Sequence, residues 1–341
     1  MKNRGRLGST FTSRFVRLAK AAVVLAVGVC MDGCGSHRPP RIAVIPQTEG
    51  TLIWEAAHVG AEAAAHQSGA SIYWNAPTRE DDIEAQIALV QRVVESHYQG
   101  LVLAPDQALS LISPVRRALA RGIPTVVIGS PLAIPAGRDL SYIVNDDEAG
   151  GQMAAQRVDS ILHGHGTVAV LGINPDVTGL MIRARAFEQA LAQNSPGIRI
   201  VARRIGSFNV PREQQVAQDT LKTNPDLDII VALTSPSIDG TLSALEADPS
   251  RRAIRIIGFD VDGYISFDDA RSLDCVIQED SRTMGQKAVE WIAGRLSGRF
   301  ESATLRLPPV LIARDNIHSA EVRHMWSQDW TLGHSPWSPV Q

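Results

Sequence analysis

The sequence predicts an α/β fold with two lobes, each a doubly wound parallel sheet covered by helices. From Arg41 onward, short apolar runs typical of buried strands alternate with stretches of helical periodicity. The apolar runs fall into two series, and 341 residues are enough for two domains of about 150 residues each. Strands that are apolar throughout and joined by helical crossovers indicate parallel sheets with both faces covered.

The first series of apolar runs predicts one lobe. Its strands, in chain order, are "RIAVIP", "SIYWN", "GLVLAP" and "PTVVIG". The segments between them have helical spacing, and small and apolar residues recur on one helical face across residues 53–64. We therefore expect four strands with helical connections in this half of the chain.

The second series of apolar runs predicts a second lobe of similar architecture. Its strands are "YIVND", "TVAVLG", "IRIVARRI", "DIIVAL", "IRIIGFD" and "LDCVIQ". Helical segments separate most of them. Residues 320–341 break the pattern, because they have no regular period; they contain Trp326, Trp330, Trp337, Pro336 and Pro339. We expect this extension either to pack back on a lobe or to form an appendix specific to this chain.

The N-terminal segment has the pattern of a secretory signal. Six Lys and Arg residues precede an apolar run at residues 21–29, which is too short to span a membrane. A basic leader on a cytoplasmic protein is the alternative. Cys34 in "MDGC" is the candidate for lipidation, with Cys30 in "VGVC" as the second candidate and plain secretion as the simpler outcome.

The charge and the cysteine content argue against a nucleic-acid-binding protein and against lobes held together by disulfide bonds. Residues 1–33 carry six basic residues and one acid, so their removal takes the formal net charge from −3 to −8. Such a balance disfavours nucleic acid as a partner. Cys275 is the only cysteine beyond the N-terminal segment, so no intramolecular disulfide is expected within the lobes, and a buried, inert thiol is predicted.

The motifs of common enzymes are missing from the sequence. No G-x-G-x-x-G follows the first predicted strand, and neither a phosphate-binding loop nor a G-x-S-x-G elbow occurs. His163 and His165 form H-G-H without a third ligand at a suitable spacing. We therefore predict no cofactor, no metal site and no enzymatic activity.

Polar and aromatic residues cluster where predicted strands end. In open α/β sheets this edge binds ligands. Carboxylates, amides and an arginine can bind hydroxyl groups, and aromatic rings can cover the apolar face of a sugar. The predicted ligand-binding residues are Gln47, Thr51, Trp54, Asn145, Arg183, Phe208, Thr234, Asp260 and Gln278.

Five of these residues also have a purely structural interpretation. Asp260 could cap a helix, and Arg183 could lie on a helix surface. Trp54 and Phe208 could be core residues, and Gln278 could simply end a strand. Three further acids, Asp146, Asp147 and Asp262, are interpreted as helix caps, with a solvated surface position as the alternative for Asp262.

Several stretches resemble the ribose-binding-protein-like group of type I periplasmic binding proteins. They extend over residues 41–317 and comprise "IAVIPQTEGTLIWEAAHVGAEAAA", "YIVNDDEAGGQMAA", "RARAF", "IIGFD", "VIQEDSRTMGQKAVEWI" and "PPVLIARDNI". The resemblance implies two lobes joined by three crossings of the chain, near Asn145, Gln278 and Leu307. It also implies hinge closure around a sugar or polyol.

The resemblance assigns roles to individual residues. Arg183 matches a ligand-bridging arginine, Asp260 a hydroxyl-binding aspartate and Gln278 a polar group beside the hinge. Trp54 and Phe208 match ring-stacking positions; Gln47, Thr51 and Asn145 match other polar ligand positions. The chain departs from the group's pattern at three positions, with Gly129 for Asp and Ala104 and Thr234 for Asn. Ser130 could substitute in part, and a specificity for ribose is not supported.

The resemblance also implies the organisation and partners of the protein. The expected parts are a signal region (1–34), an N-terminal lobe (41–144 and 279–307), a C-terminal lobe (145–278 and 308–319) and an extension (320–341). The expected function is delivery of a sugar to an ABC transporter permease by a monomer in the periplasm or cell envelope, held by a lipid anchor. The alternative is a sensor that presents the ligand to a membrane receptor or histidine kinase. A DNA-binding regulator is disfavoured, because no helix-turn-helix precedes Arg41.

Overall fold

A computed structural model describes residues 39–79, 81–262, 267–299 and 304–326. The predicted signal region, with Cys30 and Cys34, and residues 327–341 of the extension lie outside the described residues. The described elements, in chain order, are β1 (Arg41–Ile45), α1 (Leu52–Ser68), β2 (Ser71–Trp74), α2 (Ile83–Glu95), β3 (Gly100–Leu103), α3 (Ile112–Ala120), β4 (Thr125–Gly129), β5 (Leu140–Asn145), α4 (Asp147–Leu162), β6 (Gly166–Ile173), α5 (Thr178–Asn194), β7 (Ile198–Ile205), α6 (Val210–Thr223), β8 (Ile229–Ala232), α7 (Ser235–Ala247), β9 (Arg255–Phe259), β10 (Leu273–Gln278), α8 (Ser281–Leu296), β11 (Thr304–Leu307), β12 (Val310–Ala313) and α9 (Ala320–Trp326).

The strands form two six-stranded sheets. The first has the order β11-β5-β4-β3-β1-β2 and the second β12-β10-β9-β8-β6-β7. All neighbouring strands run parallel except β12, which is antiparallel to β10. The prediction of two parallel-sheet lobes is therefore confirmed, with one antiparallel strand at the edge of the second sheet. The assignment of "YIVND" to the second lobe is wrong, because β5 pairs with β4 and β11 in the first sheet.

The chain passes between the sheets three times. It leaves the first sheet between Asn145 and Asp147, returns between Gln278 and Ser281, and leaves again between Leu307 and Val310. We call the first sheet with α1, α2, α3 and α8 the first lobe, and the second sheet with α4 to α7 the second lobe. Helices α4 and α8 each follow a crossing: α4 packs on α5 and α8 on α1.

Two glycines allow α1 and α8 to pack in close contact. A Cβ atom added at Gly60 would collide with the backbone of Arg282, and one added at Gly285 would collide with the backbone of Ala57. The helices meet above apolar strands, and β1 and β3 are buried at every residue but Arg41. The sequence therefore combines continuous apolar strands with small residues on the helices that cover them.

Most helices of the described chain begin with a polar side chain that caps their own first turn. Such a side chain accepts a hydrogen bond from a backbone N–H that has no partner within the helix. The residues that do so are Asp82 (α2), Asp146 (α4), Asn209 (α6), Thr234 (α7) and Asp280 (α8). The predicted cap at Asp146 is confirmed: it accepts from the N–H of Ala149 at 3.1 Å.

The C-terminal extension begins with helix α9, although the sequence showed no period there. Val322 and Met325 are buried, and Val322 belongs to the hydrophobic core of the second lobe. The helix also contacts α1 and α8 of the first lobe. With only seven residues, α9 spans about two turns, too short for a periodic pattern to emerge. No helix among the described residues is both long and apolar enough to cross a membrane.

Candidate functional site

A cavity of about 800 Å³ lies between the two lobes. It is located at the carboxyl ends of the parallel strands, where open α/β sheets bind ligands. Polar side chains dominate its wall, and both lobes contribute to it. The predicted ligand-binding residues that line it are Gln47, Thr51, Trp54, Asn145, Arg183, Phe208, Thr234 and Asp260.

Arg183 is at the centre of the polar wall. Its guanidinium group donates to Asp147 at 2.8 Å, to Asp260 at 2.7 Å and to the carbonyl of Leu233 at 3.0 Å. The ring of Phe259 lies beneath it, 4.4 Å from the Cζ atom. Burial lowers the pKa of Arg183, but the two carboxylates outweigh this effect and raise the pKa above its ordinary value. The residue is 5% exposed, so the surface interpretation of Arg183 is wrong.

Asp260 ends β9 with its backbone in the left-handed region, at a φ of 54°. Few side chains adopt this conformation, and Asp is one of them. One carboxylate oxygen binds Arg183, and the other accepts the N–H of Glu279 at 3.0 Å. Because both oxygens bind groups in the cavity wall, the carboxylate is held towards the space between the lobes.

Two acids close to Arg183 and Asp260 were not predicted to belong to the site. Asp147, interpreted as a helix cap, is 5% exposed and binds Arg183. Glu279 follows the last residue of β10 and accepts hydrogen bonds from Asn145 Nδ2 and from Ser281 Oγ. Burial raises the pKa of Glu279 well above 4.5, and Asp260 raises it further. An acid directly after a buried strand was the available signal for Glu279.

Two buried polar atoms of the cavity wall lack a hydrogen-bond partner among the described residues. They are Oγ1 of Thr51 and Oδ1 of Asn145. Buried polar atoms are nearly always paired in folded proteins. Thr51 belongs to the first lobe, and Asn145 lies at the first crossing. Each of the two atoms can accept a hydrogen bond from a separate ligand hydroxyl, because a hydroxyl donates only one.

The aromatic residues of the wall also belong to the cores of their lobes. Trp54 is 6% exposed and packs in the first-lobe core, and Phe208 packs partly in the second-lobe core. Gly129 has a φ of +72°, and a Cβ atom there would lie 3.5 Å from the Trp54 ring. This backbone conformation favours glycine.

The remaining predicted residues are engaged with the protein itself. Gln47 donates to the carbonyl of Pro105 at 3.0 Å, and the Thr234 hydroxyl caps α7. Gln278 is not part of the cavity wall; its carboxamide oxygen accepts the N–H of Val261 at 3.0 Å. Gln278 thus supports the turn that follows Asp260.

The two histidines considered for metal binding lie in a loop after α4. His163 ends that helix in the left-handed conformation, at a φ of 52°. Within the described ranges, no group of three or more His, Cys, Asp or Glu side chains is arranged to hold a metal ion.

Comparison with known proteins agrees with this architecture. A family model described as "Periplasmic binding protein domain" matches residues 42–300. A D-ribose/D-allose-binding protein of Pseudomonas aeruginosa is 23% identical over 253 residues, which cover 69% of this chain and 79% of that protein. A xylitol-binding protein of Mycolicibacterium smegmatis is 25% identical over 257 residues, which cover 73% and 70%.

Solved structures show the same fold. A carbohydrate transporter solute-binding protein of Agrobacterium radiobacter, in complex with D-arabinose, superimposes with a TM-score of 0.78 at 20% identity, covering 86% of this chain and all of that one. An ABC transporter solute-binding protein of Agrobacterium vitis with bound D-fucose has a TM-score of 0.77 at 25% identity, covering 83% and 99%. The chain thus belongs to the periplasmic binding protein domain family, a family of substrate-binding proteins.

Proposed function

We propose that this protein captures a sugar or a sugar-like polyol between its lobes and delivers it to an ABC transporter. The observation that carries this proposal is the cavity itself, because its wall combines polar groups from both lobes with unpartnered buried atoms. Thr51 Oγ1 and Asn145 Oδ1 are two such atoms. Relatives that bind ribose, allose and xylitol support the proposal.

The cavity wall offers complementary surfaces to a polyhydroxylated ring. Asp260 presents a carboxylate and Glu279 a carboxyl group, and both accept hydrogen bonds from hydroxyl groups. Trp54 and Phe208 present flat apolar surfaces at the same cavity. Ligand pockets generally combine such apolar surfaces with a few fixed polar groups. The ligand-binding residues proposed above, with Asp147 and Glu279 added, therefore suit a neutral hydroxylated molecule.

Binding and delivery would be coupled through the hinge. A ligand that contacts both lobes binds the closed form better than the open form, so it shifts the equilibrium towards closure. The three chain crossings allow the lobes to rotate about one another. The closed protein would then dock on its permease.

We also propose that the protein acts as a monomer on the outer side of a membrane, held by a lipid on Cys34 or Cys30. The basic and apolar pattern of the first 34 residues supports this location. Incorporation of a labelled fatty acid into cells expressing the full chain tests it. Loss of label in either Cys34→Ala or Cys30→Ala would identify the modified cysteine, and equal labelling of both variants would contradict both sites.

A thermal-shift screen of the mature protein tests the central proposal. The candidates are pentoses, hexoses and polyols, and the control is the double variant Arg183→Ala/Asp260→Ala. A ligand at 100 times its dissociation constant stabilises the folded state by about 2.7 kcal/mol. We expect a stabilised wild type and an unaffected double variant for at least one sugar. The absence of a shift with every carbohydrate would overturn the proposal.

A further inference from the structure

Helices α1 and α5 belong to different lobes, and neither is capped by the side chain of the residue that precedes it. The residue before α1 is Thr51 and the residue before α5 is Val177; neither side chain makes a capping hydrogen bond. Both helices are 17 residues long and start at the cavity wall. Instead, a backbone N–H in the first turn of each helix donates a hydrogen bond to a side chain of the opposite lobe.

Asp262 of the second lobe caps α1 of the first lobe. Its carboxylate accepts the N–H of Leu52, the first residue of that helix. The backbone N–H of Asp262 donates in turn to Ser235 Oγ at 2.9 Å, which holds the loop against the second lobe. This contact differs from the predicted N-cap role of Asp262, because an N-cap residue directly precedes its helix, whereas α1 begins 210 residues earlier in the chain.

Ser130 of the first lobe caps α5 of the second lobe. Its hydroxyl oxygen accepts the N–H of Gly179, the second residue of that helix, at 2.9 Å. Ser130 follows β4 directly and is 8% exposed. A side chain at Gly179 would clash with Asp147, so the glycine lets the helix approach the serine. Each lobe thus caps one helix of the other.

We infer that Asp262 and Ser130 are positioning residues that stabilise the closed form and thereby set the affinity for every ligand of the cavity. This inference rests on the proposed function, because it concerns the equilibrium between the open and closed forms that ligand binding shifts. Opening the cleft separates both caps from their helices. Loss of one helix cap typically changes an equilibrium constant about 5-fold, so loss of both should lower the closed-to-open equilibrium constant about 25-fold.

Both residues also border the cavity, so direct ligand contact is the competing explanation. The two explanations differ in two respects. A residue that acts through closure changes the open and closed populations of the ligand-free protein. It also lowers the apparent affinity for all ligands by one factor, because that affinity scales with the competent fraction. A ligand contact does neither.

The experiment measures the distance between the lobes of the ligand-free protein by double electron–electron resonance. Spin labels are attached to Leu109→Cys in the first lobe and Ile205→Cys in the second, which are 71% and 70% exposed. The variants are Asp262→Ala, Ser130→Ala and their combination. Asp82→Ala is the matched control, because Asp82 caps α2 within its own lobe. The variant Asp262→Asn keeps an acceptor oxygen and tests whether an uncharged acceptor preserves the closed form.

We expect a population of short distances in wild type, in Asp82→Ala and in Asp262→Asn, and a loss of that population in the double variant. For any two sugars that bind, the double variant should lose affinity in proportion to the fall in the closed fraction, by at most about 25-fold and by the same factor for both. An unchanged distance distribution, or a loss confined to one sugar, would overturn the inference. If the distances shift as expected but no sugar binds, the inference about Asp262 and Ser130 holds while the proposed function fails. If sugars bind but the distances do not change, the proposed function holds while the inference fails.

Discussion

The guanidinium of Arg183 and the carboxylate of Asp260 form an ion pair of 2.7 Å in the wall of the inter-lobe cavity. Arg183 lies in α5 and Asp260 at the end of β9, so the pair joins a helix to the sheet edge of one lobe. Asp147 binds the same guanidinium from the opposite side, at 2.8 Å. Arg183 thus holds two buried carboxylates in place.

Substitution of either member of this pair should weaken ligand binding. Hydrogen bonds that involve charged groups contribute about 1.5–3 kcal/mol each, so Arg183→Ala and Asp260→Ala should each raise the dissociation constant about 10- to 150-fold. Calorimetric titration with the sugar found in the screen measures this. Arg203→Ala is the control, because Arg203 pairs with Glu188 on the exposed surface. Normal affinity in both site variants would exclude a direct role for the pair.

Replacement of Glu279 by glutamine should stabilise the protein at neutral pH. Burial raises the pKa of this carboxyl well above 4.5, so the folded state prefers the protonated form. The stability that this preference contributes is fully present below pH 4.5 and is lost as pH rises through the folded-state value. The loss has a maximum slope of about 1.4 kcal/mol per pH unit.

Glu279→Gln keeps the shape and an acceptor oxygen for Asn145 but cannot ionise. Denaturant titrations from pH 4 to pH 8 compare the variant with wild type. The difference in unfolding free energy should grow with pH in favour of the variant, whereas parallel curves would show that Glu279 is not destabilised by its charge.

The sheets were predictable from sequence because a parallel strand that is buried on both faces is apolar along its whole length. Runs such as "GLVLAP" and "DIIVAL" are apolar throughout, and the structure places both in the interior of their sheets. Strand ends are equally local features, so Asp260 could be assigned to the carboxyl edge. The edge strands β11 and β12 are harder to recognise from sequence, because three of the four residues of β11 are exposed and two of the four residues of β12 are only partly buried.

The partners of the charged residues could not be read from sequence. Asp147 follows the helix cap Asp146, and Glu279 precedes the helix cap Asp280. All four are acids at the start of a helix, so the sequence does not tell the caps from the residues of the site. Burial beside Arg183 distinguishes them, and this depends on how α4 and α8 pack after the crossings. Asp262 was predicted to cap a helix that directly follows it, but the helix that it contacts belongs to the other lobe.

The close approach of α1 and α8 predicts that Gly60 does not tolerate a side chain. Gly60→Ala places a methyl group against the backbone of Arg282, and overpacking of this kind costs about 1–3 kcal/mol. Gly137→Ala is the matched control, because open space surrounds that position and its φ is not positive. Thermal unfolding should show a lower melting temperature only for Gly60→Ala. Equal melting temperatures would mean that the helices can separate without cost.

The thiol of Cys275 should be unreactive in the folded protein. Cys275 lies in β10 and is fully buried, and burial raises its pKa to about 12. Because the thiolate is the nucleophile, both inaccessibility and the raised pKa suppress its reaction at pH 8. A chromogenic disulfide reagent should react with a chain truncated to start at Arg41, which lacks Cys30 and Cys34, only after denaturation. The variant Leu109→Cys adds an exposed thiol as a positive control and should release one equivalent under native conditions. Native reaction of the chain without that substitution would show that β10 opens locally, and the spin labels described above would then require a Cys275→Ala background.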